Sequence, residues 1–524
     1  MAAEELPVPS TSTRRETQLL PSKGTSFLIP DKDKSFHKQY ANIYFLRLNA
    51  LRDSVLQNAE RKWKHVEGDP IHVPRVLEVV KAKLCYVVGT VYMEMPLKPS
   101  VMEDIARDVR PLPFRPFRLL TAWYMIVTCQ QHSIAPPPPP SKICSPDDSI
   151  MLEDESGRIR LVGARVKAAP LVTGVIIGVL GVETPNGDFE VVDICYAEMP
   201  PPTYPKEDEG AAMEVEEEDA YIAVVSGLDV GAPSAADAHL QLLVEYLTGE
   251  AGGLDDAVSA SHISRLVIAG NSLSTVVVAE EVDDRKARKY GYDNTTFSPH
   301  PTLSLSAILV DIGRTMPIHL LPGASDPSGS IMPQQPLPRR MFGAVSKLST
   351  FSCETNPTYV DLAFGSRKRQ LLIHSGQPLD DMFKYLPSPA RRLDLAEATL
   401  RWQHMAPTAP DTLWCHPFFH AEPFVLPNTP NLYIIGGQRK FATRMVGPDD
   451  RRCRIVLVPH FASTGTVVLV NMRTLDAKTV TLRTHRMAGG AHEDQAPTNG
   501  REPTPTPAEP DLTMSEPDLS QMEE

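Results

Sequence analysis

Ile222-Ala-Val-Val-Ser-Gly227 is a short apolar run that stops on two small residues. A run of that length without polar alternation reads as a strand buried on both faces and ending in a tight turn. The pattern then repeats. Ala236 to Leu247 has helical spacing, Ser264-Arg-Leu-Val-Ile-Ala-Gly270 reads as a second strand, and Leu303 to Ile312 as another helix. Pro317-Ile-His-Leu-Leu-Pro-Gly323 is a third strand and turn. Further strands are Arg369-Gln-Leu-Leu-Ile-His-Ser-Gly376, Asn431-Leu-Tyr-Ile-Ile-Gly-Gly437, Arg454-Ile-Val-Leu-Val-Pro459 and Thr466-Val-Val-Leu-Val-Asn471. Strands alternating with helices predict an α/β sheet domain over 221–484.

Upstream the texture differs. Residues 1–30 are polar and turn-forming and read as a disordered tail. Over 31–65 a helix is expected, with Ile43, Leu46, Leu48, Leu51, Val55 and Leu56 at roughly helical spacing. Residues 66–200 are rich in short strands. Lys83 to Met93 is one, interrupted by Gly89 as at a barrel bend. Ser149 to Gly163 gives two strands around a turn at Glu155-Ser156-Gly157. Leu171 to Val182 and Asp188 to Tyr196 form a pair around Pro185-Asn186-Gly187-Asp188, and an Asn-Gly turn between apolar strands is a strong hairpin signal. Five short strands with glycine bends predict an OB-fold β-barrel. Residues 109–148 interrupt it with an aromatic stretch and the stiff Ala135-Pro-Pro-Pro-Pro-Pro-Ser loop. Residues 201–220 form an acidic linker, and 485–524 a Pro-, Thr- and Glu-rich tail that cannot bury a core. The fold class is therefore α+β and multidomain.

The chain carries 52 basic against 65 acidic residues, a net charge of −13. Proteins that grip nucleic acid through phosphates carry a basic excess or stripe, so DNA contact is expected to run mainly through a partner. The seven cysteines (Cys85, Cys129, Cys144, Cys195, Cys353, Cys415, Cys453) form no CxxC pair, which argues against structural zinc and for reduced thiols. No apolar run approaches the ~20 residues of a membrane span, and no membrane role or cofactor is expected.

Open α/β sheets place ligands at the ends of their strands. The strand-end turns here are Ser226-Gly-Leu-Asp-Val-Gly231, Gly270-Asn-Ser-Leu-Ser274, Pro322-Gly-Ala-Ser-Asp326, Ile373-His-Ser-Gly376 and Ile435-Gly-Gly-Gln438. In order and spacing they resemble the five motifs of the calcineurin-like phosphoesterases: D-x-H, G-D-x-x-D, G-N-H-D/E, a strand-end His, and G-H-x-H. That chemistry needs two metals shared by a bridging aspartate and held by carboxylates and imidazoles. Matched by position, Gly227 stands for the first aspartate, Asp229 for its histidine, Asn271 for the bridging aspartate and Ser274 for the second acid. Ala324 and Ser325 stand for the Asn-His pair, leaving Asp326; His374 lies near the fourth position, and Gly437 replaces a histidine. An amide cannot bridge two metals as a carboxylate does. The resemblance thus implies a catalytically degenerate phosphoesterase-like α/β sandwich, with no catalytic or metal site.

An OB barrel followed by such a domain resembles the B-subunits of the archaeal and eukaryotic replicative DNA polymerases, and most closely the small-subunit family of DNA polymerase delta. The carrying segments are Ser35-Phe-His-Lys-Gln-Tyr-Ala-Asn-Ile-Tyr44, Asp147 to Glu155, Val225-Ser-Gly-Leu228 and Ile268-Ala-Gly-Asn271. Further on come Leu321 to Pro327, Met332-Pro-Gln-Gln-Pro-Leu337, Ser375-Gly-Gln377 and Ala406-Pro-Thr-Ala-Pro-Asp-Thr-Leu-Trp-Cys-His-Pro-Phe418. Together they span 33–480. The resemblance implies a nuclear, non-enzymatic scaffold that binds the cysteine-rich C-terminal domain of a catalytic polymerase subunit and tethers a third subunit. It also implies that the two domains pack as one rigid body.

One segment departs from that family. Removing Val109–Gln131 joins Asp108 to His132 and restores an ordinary barrel loop, so this stretch is either a retained in-frame intron or a lineage-specific loop presenting Trp123 and Tyr124. Two other functions stay open on the residues alone. A working phosphoesterase would depend on Asp229 and Asp326. A single-strand binder would use barrel tyrosines such as Tyr86 and Tyr92, though no basic track accompanies them. Arg285-Lys-Ala-Arg-Lys289 is either an import signal or a solvated helix face.

Overall fold

Cys85–Glu94 (β3) is the strand around which the N-terminal barrel closes. It pairs antiparallel with Ser149–Glu153 (β4) on one side and with Ile176–Glu183 (β6) on the other. Arg158–Val162 (β5) follows β4 through the 155–157 turn and lies parallel to Phe189–Cys195 (β7), which pairs back onto β6 across the Asn186-Gly187 turn. The closed order β3-β4-β5-β7-β6-β3 is the five-stranded barrel that the turn signals predict. A side chain at Gly89 would lie 2.8 Å from the Glu153 carbonyl, so glycine lets one strand serve both neighbours at the bend. A short strand, Ile71–His72 (β2), adds parallel to the start of β3. The helix Ala41–Trp63 packs on the barrel through Leu48, Leu51, Val55 and Ala59.

This computed structural model describes residues 14–34, 39–98, 142–205, 219–232, 236–274 and 300–483. The expected insertion at 109–131, the basic run 285–289 and the 485–524 tail lie outside the described residues, as does most of the acidic linker.

Two six-stranded sheets follow. One orders Phe351–Cys353 (β11), Ile318–Leu321 (β10), Ile263–Ala269 (β9), Tyr221–Val225 (β8), Thr466–Asn471 (β17) and Ala477–Thr481 (β18); β8 to β11 run parallel. The other orders Gln18–Leu20 (β1), Thr358–Phe364 (β12), Arg367–His374 (β13), Leu432–Gln438 (β14), Cys453–Pro459 (β16) and Ala442–Val446 (β15). Side chains alternate between faces. Ile222 and Val224 meet Leu371, Ile373, Ile434 and Val456 of the opposite sheet, while Ala223 and Val225 meet Leu240, Leu243, Leu305 and Leu309 of the covering helices. Burial on both faces is why these strands read as unbroken apolar runs. The outer face of the second sheet shares one continuous core with the barrel, from Leu372 and Tyr433 through Leu379 and Trp402 to Val87 and Val91.

Three sequence expectations need correction. The reading of 1–30 as a tail fails from Arg14 onward: β1 pairs antiparallel with β12, and Phe27 is buried between the rings of Tyr359 and Phe424. Polar composition misleads there because Arg14, Thr17 and the Lys23 N–H find hydrogen-bond partners in the sandwich. The 201–220 linker is shorter than its composition suggests, since Tyr204 is buried against Asp361 and Ala220 is fully buried, its carbonyl accepting from Met472 N–H just past β17. Between β8 and β9 a second helix, Leu254–Ser261, was not expected.

Candidate functional site

The C-terminal ends of β8, β9, β10, β13, β14 and β16 converge at one end of the sandwich. Gly227 N–H donates to the Gly270 carbonyl at 3.0 Å, Asp229 N–H to the Asn271 carbonyl at 3.2 Å, and Gly437 N–H to Ser226 Oγ at 2.8 Å. All five turns singled out in the sequence therefore meet. Gly227 has φ +69°, and a Cβ on it would fall 2.1 Å from Nδ1 of His460. The imidazole stands where a side chain from position 227 would reach. His460 Nδ1 lies 3.6 Å from Asp229 Oδ2, and this carboxylate raises the imidazole pKa above its ordinary value against the opposing effect of burial.

Each remaining position is turned to local bonding. Asn271, at φ +57°, accepts at Oδ1 from the Ser325 N–H and hydroxyl at 3.1 and 3.3 Å. Ser274 is held by its N–H to the Val230 carbonyl, and Ala324 sits beside Ser325 in the same turn. The Asp326 carboxylate is buried and accepts from Leu273 N–H at 2.8 Å, Gly323 N–H at 2.8 Å and Ser272 N–H at 3.2 Å. Burial raises its pKa, and those backbone donors only partly offset it. His374 faces the core: Nδ1 accepts from Gly376 N–H and Nε2 meets Tyr433 Oη, both at 3.0 Å. Among the described residues no three His, Cys, Asp or Glu side chains lie close enough to share a metal ion.

Neutral amides tie these turns instead. Asn356 Nδ2 reaches Gln334 Oε1 and Ser375 Oγ at 2.7 Å and Gln377 Oε1 at 2.9 Å, while its Oδ1 accepts from Ser375 N–H. Gln334 Nε2 continues to the Gly323 carbonyl at 3.0 Å. Sequence reading found Gln334 and Gln377 only as members of family segments, and missed Asn356 and His460. His460 was detectable: Val458-Pro-His460 ends a strand as the other five turns do.

A second polar cluster lies between barrel and sandwich. Arg47, on the helix Ala41–Trp63, is fully buried and uses every donor it has. Nε and Nη2 donate to the two Glu422 oxygens at 3.0 and 2.5 Å, Nη1 to the Gly174 and Pro407 carbonyls at 3.1 and 2.6 Å, and Nη2 to the Ala409 carbonyl at 2.7 Å. His404 Nε2 meets Glu422 Oε1 at 2.8 Å. One guanidinium thus joins the N-terminal helix, the barrel at Gly174 and the Ala406–Phe418 segment. On the neighbouring barrel face Lys98 pairs with Asp411, Lys142 donates to the Phe383 carbonyl, and Ile143 N–H to the Lys384 carbonyl. Tyr92 there carries Lys98 and Arg158 over its ring, and Lys98 is committed to the sandwich.

Burial also sets an acid sensitivity. It pushes His374 down to about 3; burial and the adjacent Arg47 push His404 down to about 4 against the pull of Glu422. Both folded values lie below the unfolded histidine value, so their contribution to stability is complete above about pH 6.5 and is lost as pH falls toward 4, at about 1.4 kcal/mol per pH unit for each. Burial alone would raise Glu422, but Arg47 and His404 hold it at about 2, so it contributes above about pH 4.5 and fails only below that window. Urea unfolding is therefore expected to show a falling stability from pH 7 to 5, with a shallower fall in His374→Gln. An unchanged slope in that variant would contradict the neutral buried imidazole.

Comparison with known proteins follows this division. Residues 39–194 match the family described as DNA polymerase delta subunit OB-fold domain, and 222–443 the family described as the B-subunit of DNA polymerases alpha and epsilon. The DNA polymerase delta small subunit of Arabidopsis thaliana is 34% identical over 453 residues, covering 85% of this chain and 92% of the plant protein. The small subunit of Saccharomyces cerevisiae is 32% identical over 509 residues, 91% of this chain and 96% of the yeast protein. Drosophila melanogaster DNA polymerase delta subunit 2 is 30% identical over 454 residues, 86% and 94% of the two chains.

Proposed function

We propose, from the premise that this chain belongs to the DNA polymerase delta small-subunit family, that it is a non-catalytic scaffold of a nuclear polymerase delta complex. In this reading it binds the cysteine-rich C-terminal domain of the catalytic subunit and tethers a third subunit, and its DNA contact is indirect. The sandwich is a degenerate phosphoesterase: Gly227, Asp229, Asn271, Ser274, Ala324, Ser325, Asp326, His374 and Gly437 occupy former metal-site positions. The observation that carries this reading is the amide-tied cluster of strand ends. Asn271 replaces a bridging carboxylate and bonds Ser325, His460 fills the space above Gly227, and Asp326 spends both oxygens on backbone donors. A dinuclear hydrolase needs those same positions open and anionic.

The barrel supports the same reading. Its face beside Tyr92 is tied to the sandwich through Lys98, Lys142 and Ile143, which leaves it unlike an open groove for single strands.

The deciding experiment is affinity purification of the full-length chain from its own cells, with mass spectrometry of stoichiometric partners. A large polymerase with a cysteine-rich C-terminus is expected. Recovery of the chain alone, together with manganese-dependent phosphodiester cleavage lost in Asp229→Ala and Asp326→Ala, would sink the proposal.

A further inference from the structure

Asp361 and Gln370 lie directly opposite each other on β12 and β13, and Tyr359, two residues before Asp361, shares their face of the sheet. Two stretches of chain cover that face. Lys23-Gly24 lies over Asp361 and Tyr359, where a Cβ on Gly24 would fall 2.3 Å from Tyr359 Cγ, and Thr203-Tyr204 lies over Gln370 and Asp361. Asp361, Gln370 and Tyr359 are 0%, 1% and 7% exposed. Yet Asp361 Oδ1, Gln370 Nε2 and Tyr359 Oη have no hydrogen-bond partner among the described residues. We infer that these three atoms form the binding site of one permanently held water molecule.

The bonds already made at this place fix the groups that carry the free atoms. Asp361 Oδ2 accepts from Lys23 N–H at 2.7 Å and from Tyr204 Oη at 3.3 Å, and Gln370 Oε1 accepts from Thr203 Oγ1 at 2.7 Å. Turning Oδ1 and Nε2 onto each other would break those bonds and move the deficit to Lys23, Tyr204 and Thr203. Buried polar atoms left unpaired are costly, and buried waters characteristically bond about three of them at once.

The hydrogen-bonding roles select water as the ligand. Oδ1 needs a donor and Nε2 an acceptor, and burial raises the Tyr359 pKa, so its hydroxyl keeps a proton to give. A water donates to Asp361 while accepting from Gln370 and Tyr359. A metal ion cannot accept from an amide N–H, and an anion would be repelled by the carboxylate. With the amide turned over, Gln370 would present an acceptor beside Asp361, and a donor is needed all the more. The held water ties β12 and β13 to the undersides of the N-terminal segment and of the stretch that leaves the barrel. This holds whichever partners the chain binds.

The test is a crystal structure of the full-length chain at a resolution that shows ordered solvent. Expected is a single spherical peak of density about 2.5–3.2 Å from Asp361 Oδ1, from the Gln370 amide and from Tyr359 Oη. In Gln370→Leu that peak should be lost; should this variant not fold, the parent structure decides alone. A direct bond between Asp361 Oδ1 and Gln370 Nε2 with no peak beside it would overturn the assignment. So would a peak ringed by six or more oxygens at about 2.0–2.6 Å, which marks a metal ion. A peak unmoved in Gln370→Leu would overturn it as well.

Discussion

Replacing Arg47 by Met is expected to destabilise the folded chain by about 3–5 kcal/mol, the usual result of removing one partner from a buried ion pair. The loss is not that of the attraction alone. Glu422 would remain fully buried with only His404 beside it, and the carbonyls of Gly174, Pro407 and Ala409 would lose their donor together. A buried acceptor left without a partner costs about 1–3 kcal/mol. Because these carbonyls belong to the barrel and to the 406–409 turn, the two domains should loosen against each other before either unfolds. Guanidinium unfolding would show this as a lower midpoint and a broadened transition. Arg47→Met combined with Glu422→Gln should recover part of the loss by removing the stranded charge. If the double variant is no better than the single, the hydrogen bonds to the carbonyls outweigh the ion pair. If Arg47→Met unfolds like the parent, the joint is held by apolar packing alone.

This residue also marks a limit of sequence reading. The stripe on its helix was traced through Ile43, Leu46, Leu48, Leu51, Val55 and Leu56, yet Leu46 and Leu56 are only partly buried. The buried line is Ile43, Arg47, Leu51, Val55 and Ala59, at strict i, i+4 spacing. A charged residue in that line is credible only once its counter-ion is known, and Glu422 is 375 residues away. Local signals fared better. Two-sided burial made the sandwich strands legible as apolar runs, and the Asn186-Gly187 turn placed β6 beside β7. The convergence of five strand ends was legible because α/β topology forces it. The sixth, at His460, was overlooked because the match to a five-motif pattern ended at Gln438. The amide network around Asn356 was beyond reach, since its members come from three separate stretches of chain and each is an ordinary loop or helix-start residue by itself.

Truncation at residue 30, the boundary that composition suggests, is expected to be more damaging than any single substitution. Arg14 donates to the Leu247, Ala260 and Ile263 carbonyls at 2.7, 3.0 and 2.8 Å, satisfying groups at the ends of two helices and the start of β9. Thr17 accepts from the buried Arg265 guanidinium through both its hydroxyl and its carbonyl, at 2.9 and 2.8 Å. Burial already pulls Arg265 down to about 10, with Glu354 offsetting only part; without Thr17 it keeps only the ring nitrogen of His319. Farther on, Lys23 N–H donates to the buried Asp361 carboxylate, and Phe27 fills the space between Tyr359 and Phe424. Losing a buried Phe ring alone costs about 3–5 kcal/mol, and stranding a buried cation adds to it. The sum approaches the ~5–15 kcal/mol that holds a typical domain folded. The chain starting at residue 31 should therefore be recovered mainly as aggregate, or melt far below the parent. The chain starting at Arg14 should melt with the parent, because every bond named here survives in it. If both truncations melt with the parent, the N-terminal segment is an ornament on a sandwich that is complete without it. If only the longer one fails, Arg14 to Phe27 is part of the core, and Phe27→Ala against Arg14→Ala will apportion the loss between apolar packing and the capped carbonyls.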